Sequence, residues 1–345
     1  MLVLGLESSC DDCSAAVVDE TDAGPRILSF VREGQDALHA PYGGVVPELA
    51  AREHVMALRR AIGAAVAQSG VRASDLGRLA VTRGPGLIGC LLTTFSAAKA
   101  IAWRLGLPFV CVHHAIGHIN AARFGAPGLP FPALALLVSG GHTHLYLAQD
   151  WTTVRLLMKT RDDAAGEAFD KTARMLNLGY PGGAIVDACA QEPFPPDTSA
   201  HTPVFTPPRF RDGAPSWSFS GIKTAVKRLI EGAPGMAAAG PDDPRVRRLC
   251  LAINRTIASW LLKPLPDLVF AHGAASLIVS GGVACNSELR SGAAALAKRL
   301  GIQAAIPEPR LCTDNGAMVA AAGALLPPSR APWRENADAD LAISQ

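Results

Sequence analysis

Apolar runs in this chain fall into one pattern that occurs twice. Val3–Leu6 and Ala15–Val18 flank the polar turn Ser8–Ser14, and a third run follows at Ile27–Val31. Much later, Ala133–Val138 and Thr143–Ala148 flank Ser139-Gly140-Gly141-His142, and a third run follows at Val154–Met158. Short aliphatic runs bounded by polar turns predict strands, and each triplet then gives way to helical periodicity. In the first half a helix is expected from Pro47, suited to a first helical turn, to about Gln68. Strand Leu79–Thr82, turn Arg83–Gly86, helix Ile88–Leu105 and strand Phe109–Val112 complete that half. The second half predicts helices at Gly166–Leu176, Ala184–Ala190, Gly221–Ile230 and Val246–Phe270, the last broken by Pro264 and Pro266. Strand Ser276–Ser280 and helix Asp314–Leu326 follow, with a loop at Glu192–Ser218 and a mobile tail from Pro327. No sequence repeat accompanies the repeated pattern. Its natural outcome is an α/β protein of two lobes whose ligand loops face a cleft.

A chain of 345 residues can bury a core in each lobe. Charged residues make up 18% and the net charge is +2, so a nucleic-acid partner would need a local basic patch. Candidate patches are Arg59–Arg60, Lys223–Lys227–Arg228 and Arg245–Arg247–Arg248, each of which also reads as a solvated helix face. No apolar run is long enough to span a membrane and no leader pattern precedes the first strand, so a cytoplasmic protein is expected. The eight cysteines are scattered through core segments, as in reduced proteins. Cys10-Asp11-Asp12-Cys13 fits C-x-x-C but lies between strands, where a redox motif would precede a helix, and reads as structural.

Chemistry concentrates at few places. His114 and His118 lie in CVHHAIGHI, after an apolar run. A helix starting there puts i and i+4 on one face, where both imidazoles reach one divalent metal. Asp314 in CTDNGAM could supply a carboxylate and leave metal positions open for substrate. A bare H-x-x-x-H is weak, and a metal-free pair stays open on this ground alone. Ser139-Gly140-Gly141 and Ser280-Gly281-Gly282 both follow apolar strands. Glycine permits positive φ and close approach, so backbone N–H groups can converge on an anion. A tight hairpin needs the same glycines. In Asp162–Gly183, Asp170 could hold ribose hydroxyls, with Gly182-Gly183 and Asp187 opposite, while Glu167 and Lys171 could simply pair. Neither a Walker A pattern nor G-x-G-x-x-G after a first strand occurs.

GLESSCDD, YGGVVPELAAREH, GPGLIGCLL, HHAIGH, LLVSGGHT, DDAAGEAFDK, YPGG, SFSGIKT, SGGVACN and CTDNGAM occur in one order from residue 5 to 318. Together they resemble the bacterial-type TsaD family, the tRNA N6-adenosine threonylcarbamoyltransferases, formerly described as O-sialoglycoprotein endopeptidases. The resemblance implies the two-lobed actin/Hsp70/sugar-kinase (ASKHA) fold of duplicated RNase H-like domains. The lobes would be residues 1–112 plus 314–326 and residues 113–313, with 327–345 as tail. It implies transfer of threonylcarbamoyl from threonylcarbamoyl-AMP to N6 of adenosine 37 in tRNAs reading ANN codons, with AMP released. Carried over by position, His114, His118 and Asp314 would hold one divalent metal, Fe(2+) before Zn(2+). Leu137, Val138, Ser139, Gly140 and Gly141 match the phosphate and carbamoyl contact loop. Asp170, Gly183 and Asp187 match nucleotide-sugar positions, and Asn286 an adenine-side contact. The implied partners are a TsaB-like paralogue, through Val46–Gln68 and Ile88–Leu105, and a TsaE-like ATPase.

Two positions depart from the family pattern. Ile116 stands between the histidines where members often carry Glu, and Asp12 stands where bacterial members usually have Glu. Asp12 and His142 are candidates for proton transfer, and a metal-bound water is another. A metallopeptidase would want H-E-x-x-H, and Ala115, Ile116 and Gly117 offer no base. The remaining rivals are a small-molecule kinase of the same fold and a non-catalytic nucleotide-binding scaffold.

Overall fold

The computed structural model describes residues 1–191, 202–208, 210, 213 and 216–343. Most of the expected loop Glu192–Ser218 lies outside them. Ten strands are described: β1 Leu2–Glu7, β2 Cys13–Thr21, β3 Gly24–Glu33, β4 Arg78–Gly84, β5 Phe109–His113, β6 Ala133–Val138, β7 Thr143–Ala148, β8 Val154–Lys159, β9 Ser276–Ser280 and β10 Gln303–Ala305. The helices are α1 Asp36–His39, α2 Pro47–Ser69, α3 Ile88–Leu105, α4 His114–Asn120, α5 Ala165–Met175 and α6 Gly182–Gln191. They continue with α7 Ser220–Glu231, α8 Pro244–Leu262, α9 Leu265–His272, α10 Ser287–Leu300, α11 Pro309–Cys312 and α12 Gly316–Leu325.

The strands form two five-stranded sheets, ordered β3-β2-β1-β4-β5 and β10-β9-β6-β7-β8. In the first, β1–β3 form an antiparallel meander, β4 runs parallel to β1, and β5 parallel to β4. In the second, β6–β8 repeat the meander, β9 runs parallel to β6, and β10 parallel to β9. The two sheets therefore share one topology, which is the duplication the strand pattern predicted. Strand β10 and the short helices α1 and α11 were not among the expected elements. β10 is only three residues long, and its pairing with β9, not local pattern, makes it a strand.

Helix α12 crosses back over the first sheet. Its sequence GAMVAAAGAL is small and apolar on all sides, and almost every residue is buried. A helix hydrophobic all round belongs in a core. Small side chains also let it lie unusually close to the strands. A Cβ on Gly5 of β1 would sit 2.1 Å from the Gly316 carbonyl oxygen, and one on Gly323 would sit 2.3 Å from Ala80 Cβ. Asn315 caps the helix by accepting from the Met318 N–H at 2.8 Å, which fixes where the chain enters it.

The tail was expected to be mobile and instead lies along the first lobe. Ser329 N–H donates to the Phe109 carbonyl at 2.8 Å, Asp338 N–H to Arg83 at 2.9 Å, and Gly86 N–H to Ala339 at 3.1 Å. Arg83 pairs with Glu335 at 3.0 Å. Composition made this segment look loose, but its backbone groups find partners on β4 and β5. No helix among the described residues is long and apolar enough to cross a membrane.

Gly5→Ala should destabilise the first lobe by an amount at the upper end of the roughly 1–3 kcal/mol typical of overpacking. Gly63→Ala, whose Cβ would meet nothing within 4 Å in the middle of α2, should instead stabilise by roughly 0.5–1 kcal/mol. Denaturant unfolding of the two variants checks both signs.

Candidate metal and nucleotide site

Strand β5 ends at His113, and α4 begins at once. His113 caps it by accepting from the Ala115 N–H at 3.1 Å. Helical spacing then turns His114 and His118 to one side, with ring centroids 4.5 Å apart. Asp314, at the entry to α12, completes the group. His118 Nε2 lies 3.1 Å from His114 Nε2 and 3.0 Å from Asp314 Oδ1. His114 Nε2 lies 3.6 Å from the same oxygen. One ligand atom from each residue falls within 4.8 Å of the others.

Glu7, at the end of β1, lies fully buried behind this group. It accepts from the Ser9 N–H at 2.5 Å and the Thr82 hydroxyl at 2.6 Å, and its Oε2 lies 3.3 Å from His114 Nδ1. With Glu7 accepting, His114 Nδ1 carries a proton toward it, which leaves Nε2 on the Asp314 side for a second proton or a metal. Two imidazole nitrogens and a carboxylate oxygen thus converge on one small space. A proton or a cation must occupy that space. His118 Nδ1 is buried without a partner, so nothing in the described residues anchors its tautomer from behind. The donor set and its spacing fit a divalent metal.

The titration pattern follows the same crowding. Burial pulls His114 down, but Asp314 and Glu7 outweigh it and lift the ring to about 9. Burial and the neighbouring His114 hold His118 below its usual value. Asp314 is driven well below the carboxylate range, because the two histidines overcome the opposing effect of burial.

The Ser-Gly-Gly turn joins β6 and β7 beside this group. Ser139 N–H donates to the His142 carbonyl at 2.7 Å, and the Ser139 hydroxyl accepts from His142 N–H at 3.1 Å. The hydroxyl therefore braces its own turn. Gly140 and Gly141 do not use positive φ, and a Cβ on either would meet nothing. Backbone freedom does not explain them here; their lack of side chains leaves the loop face open. The required glycine is Gly166 in α5, whose Cβ would lie 2.5 Å from the Ser139 carbonyl oxygen. Gly166 N–H donates to that oxygen at 3.2 Å, pinning the helix start to the loop. Gly281 does use positive φ, and its Cβ would lie 2.3 Å from the Val138 carbonyl oxygen. Leu137 and Val138 are fully covered strand residues, so only their backbone can serve a ligand.

His142 sits 5.8 Å from the His114 ring and 5.2 Å from His144. Burial, then repulsion from His114, brings it down to about 3. Asp12 pairs with Arg32 at 2.7 Å, and burial outweighs that partner to raise it to about 7. Of the two, Asp12 is better matched to proton transfer at neutral pH.

Asp170 and Gly183 lie together at the start of α6, whereas Asp187 and Asn286 meet further along that helix. Asp170 accepts from the Gly182 N–H at 2.8 Å. Asp187 accepts from Asn254 at 2.8 Å, the Ser287 hydroxyl at 2.6 Å and Asn286 at 3.3 Å. Asn286 also donates to Asn254, and caps α10 by accepting from the Leu289 N–H at 3.0 Å. Sequence reasoning missed Glu7, Ser9, Gly166 and Asn254. Only Glu7 had a signal, as a carboxylate at the end of an otherwise apolar strand. Lys171 bridges Asp163 at 2.9 Å and Glu167 at 2.8 Å, the simple pairing. Arg60, Arg245 and Arg247 of the basic clusters are also paired with acids.

Residues 26–321 match the TsaD family, described as tRNA N6-adenosine threonylcarbamoyltransferase. The chain belongs to the TsaD family. A relative of that name from Pelobacter propionicus is 47% identical over 94% of this chain and 91% of its own. Another, from Trichlorobacter lovleyi, is 43% identical over 94% and 91%. This TsaD-family chain is accordingly a tRNA-modifying transferase, N6-adenosine threonylcarbamoyltransferase in activity. More distant solved structures share the fold alone. Component A of (R)-2-hydroxyglutaryl-CoA dehydratase from Acidaminococcus fermentans aligns with a TM-score of 0.55 at 14% identity, covering 94% of this chain and 97% of that one. HypF of T. kodakarensis aligns with 0.58 at 14%, covering 94% and 47%.

An unfolded histidine binds its proton near 6.5. His142 at about 3 and His144 at about 4 therefore contribute stability above pH 6.5 that is lost as pH falls toward their folded values. An NMR titration of the metal-free protein should show both rings neutral at pH 6.

Proposed function

We propose that this transferase takes threonylcarbamoyl from threonylcarbamoyl-AMP and delivers it to N6 of adenosine 37 in tRNAs reading ANN codons, releasing AMP. The convergence of His114, His118 and Asp314 beside the Ser139–His142 turn carries the reading. The three would hold one divalent metal, Fe(2+) in preference to Zn(2+). When bound, that ion would supply Lewis-acid stabilisation of charge developing on the donor. Glu7 keeps His114 in the tautomer that offers Nε2.

The nucleophile is poor, because the N6 lone pair is delocalised into the adenine ring. The mixed anhydride supplies a good leaving group, so positioning has most of the remaining work. Backbone N–H groups of Gly140 and Gly141 would orient anionic oxygens of the donor, since Ser139 N–H is taken by the His142 carbonyl and Leu137 and Val138 lie in the paired strand β6. Asp170 and Gly183 would face the nucleotide sugar, Asp187 would set the start of α10, and Asn286 would face adenine. Asp12 is the favoured proton acceptor and His142 the alternative. The target base would be splayed from the anticodon loop into the cleft.

The lobes are taken as residues 1–112 plus 314–326 and 113–313, with the tail strapped to the first. A TsaB-like paralogue would dock on α2 and α3, where Val55, Met56, Ile88 and Leu92 are exposed, and a TsaE-like ATPase would join them. The setting is the cytoplasm.

With these partners, metal, unmodified tRNA and enzymatically made donor, the wild type should form threonylcarbamoyladenosine, read by mass spectrometry of digested nucleosides. His114→Ala should form none. Absence of product from the wild type would sink the reading and favour the kinase or scaffold. Glu7→Gln should keep the fold while lowering metal affinity by roughly 10–100-fold, measured by metal titration.

A further inference from the structure

The turn between β1 and β2 is held from behind by side chains that the proposed reaction does not use. Gln35 precedes α1, His39 ends it, and His54 lies in α2. All three are buried, so each of their polar atoms needs a partner inside the protein. They find those partners in one another and in three backbone groups. The Val46 N–H donates to His39 Nδ1 at 3.3 Å, and His39 Nε2 lies 3.2 Å from Gln35 Oε1. Gln35 Nε2 donates to the Ala50 carbonyl at 3.3 Å and lies 3.0 Å from His54 Nδ1. His54 Nε2 lies 2.8 Å from the Cys10 carbonyl oxygen.

The backbone fixes the direction of every link. A backbone N–H only donates, so His39 Nδ1 accepts and the ring's proton is on Nε2. That proton points at Gln35 Oε1, which leaves the Gln35 amide nitrogen to donate to Ala50 and to His54 Nδ1. His54 then carries its proton on Nε2, where the Cys10 carbonyl accepts it. Burial holds His54 below its usual value, which keeps the ring in this neutral form. Donation therefore runs one way, from Val46 through His39, Gln35 and His54 to Cys10. Reversing any one link would set two donors or two acceptors face to face. A buried network with every member satisfied permits one arrangement of the segments it joins.

The segments it joins are the entry to α2 and the turn that bears Asp12, two residues after Cys10. The rest of that turn is also tied down, since Leu87 N–H donates to the Ser9 carbonyl at 2.7 Å and Asp12 pairs with Arg32 at 2.7 Å. We propose that Gln35, His39 and His54 are positioning residues that fix the Cys10–Asp12 turn, and with it the Asp12 carboxylate, for transfer. They act through the turn and not on the substrate.

The effect on transfer rests on the transferase reading, whereas the direction of the network does not, and the test reads both. Long-range proton–nitrogen NMR spectra of the full metal-free chain, labelled with 15N in histidine, should show His39 and His54 each protonated at Nε2 alone. A proton on Nδ1 of either ring would overturn the network. With partners, metal, tRNA and donor present, His54→Leu and His39→Leu should each lower kcat by roughly 10–100-fold, although His39 stands two links from the turn. The KM for the donor should stay within about 3-fold, because the lost positioning is felt in the transition state. His54→Gln, whose amide can still donate to Cys10 and accept from Gln35, should recover most of the loss. Amide hydrogen exchange at residues 8–13 should quicken in both leucine variants while β4 and β5 keep their protection, which separates a loosened turn from an unfolded chain. If a leucine variant unfolds instead, the two tautomers and the activity of His54→Gln decide. Wild-type kcat in both leucine variants, loss in His54→Leu alone, or equal loss in His54→Gln would each overturn the positioning role. Should the wild type show no transfer, the transferase reading fails, and the tautomers and the exchange at the turn judge the network.

Discussion

His118 Nε2 faces two electron-pair donors at once, His114 Nε2 at 3.1 Å and Asp314 Oδ1 at 3.0 Å. Such crowding is unfavourable unless a positive charge sits among the three. Without metal, a proton on His114 Nε2 answers that crowding, Asp314 and Glu7 lifting the ring to about 9, while Nδ1–H faces Glu7 on the far side. A metal would take the place of that proton at the same lone pairs. Much else in the first lobe follows from holding these groups together. β1 delivers Glu7, β5 delivers His114 through the His113 cap, and α12 delivers Asp314.

The tolerance for error in that delivery is small, and glycine sets it. α12 can lie against β1 only because Gly5 and Gly316 leave no Cβ between their backbones. The second lobe uses the same device in two places. Gly166 lets α5 touch the Ser139 carbonyl, and Gly281 lets the end of β9 touch Val138. In each case a glycine removes the atom that would push a functional loop away from the strand end that bears it. Preorganisation of this kind places backbone donors without cost at the moment of reaction.

The acids of the cleft divide by partner. Asp187 is saturated by Asn254, Asn286 and Ser287, so it ties α6 to α8 and to the start of α10. Asp12 holds one Arg32 contact in a buried setting and titrates near neutrality. The Arg32 pair anchors the Asp12 carboxylate to β3.

Strand triplets, the main helices and the duplicated plan were legible in the sequence, because period and turn chemistry are local. β10 was not, since three residues carry no period and pairing with β9 decides them. The histidine pair was legible as an i,i+4 face, and ordered motifs made the family recognisable, which its matched relatives bear out. The tail misled, because composition cannot show that Arg83, Phe109 and Gly86 offer it partners. Glu7, Gly166 and Asn254 became visible only in three dimensions. The sequence by itself determined which residue types were on hand and their spacing along each element. Tertiary structure alone decided that Asp314 meets His118 across 196 residues and that Glu7 stands behind His114. Local pattern is set by neighbours within a turn or two, whereas a converging site is set by how closely separate elements can pack.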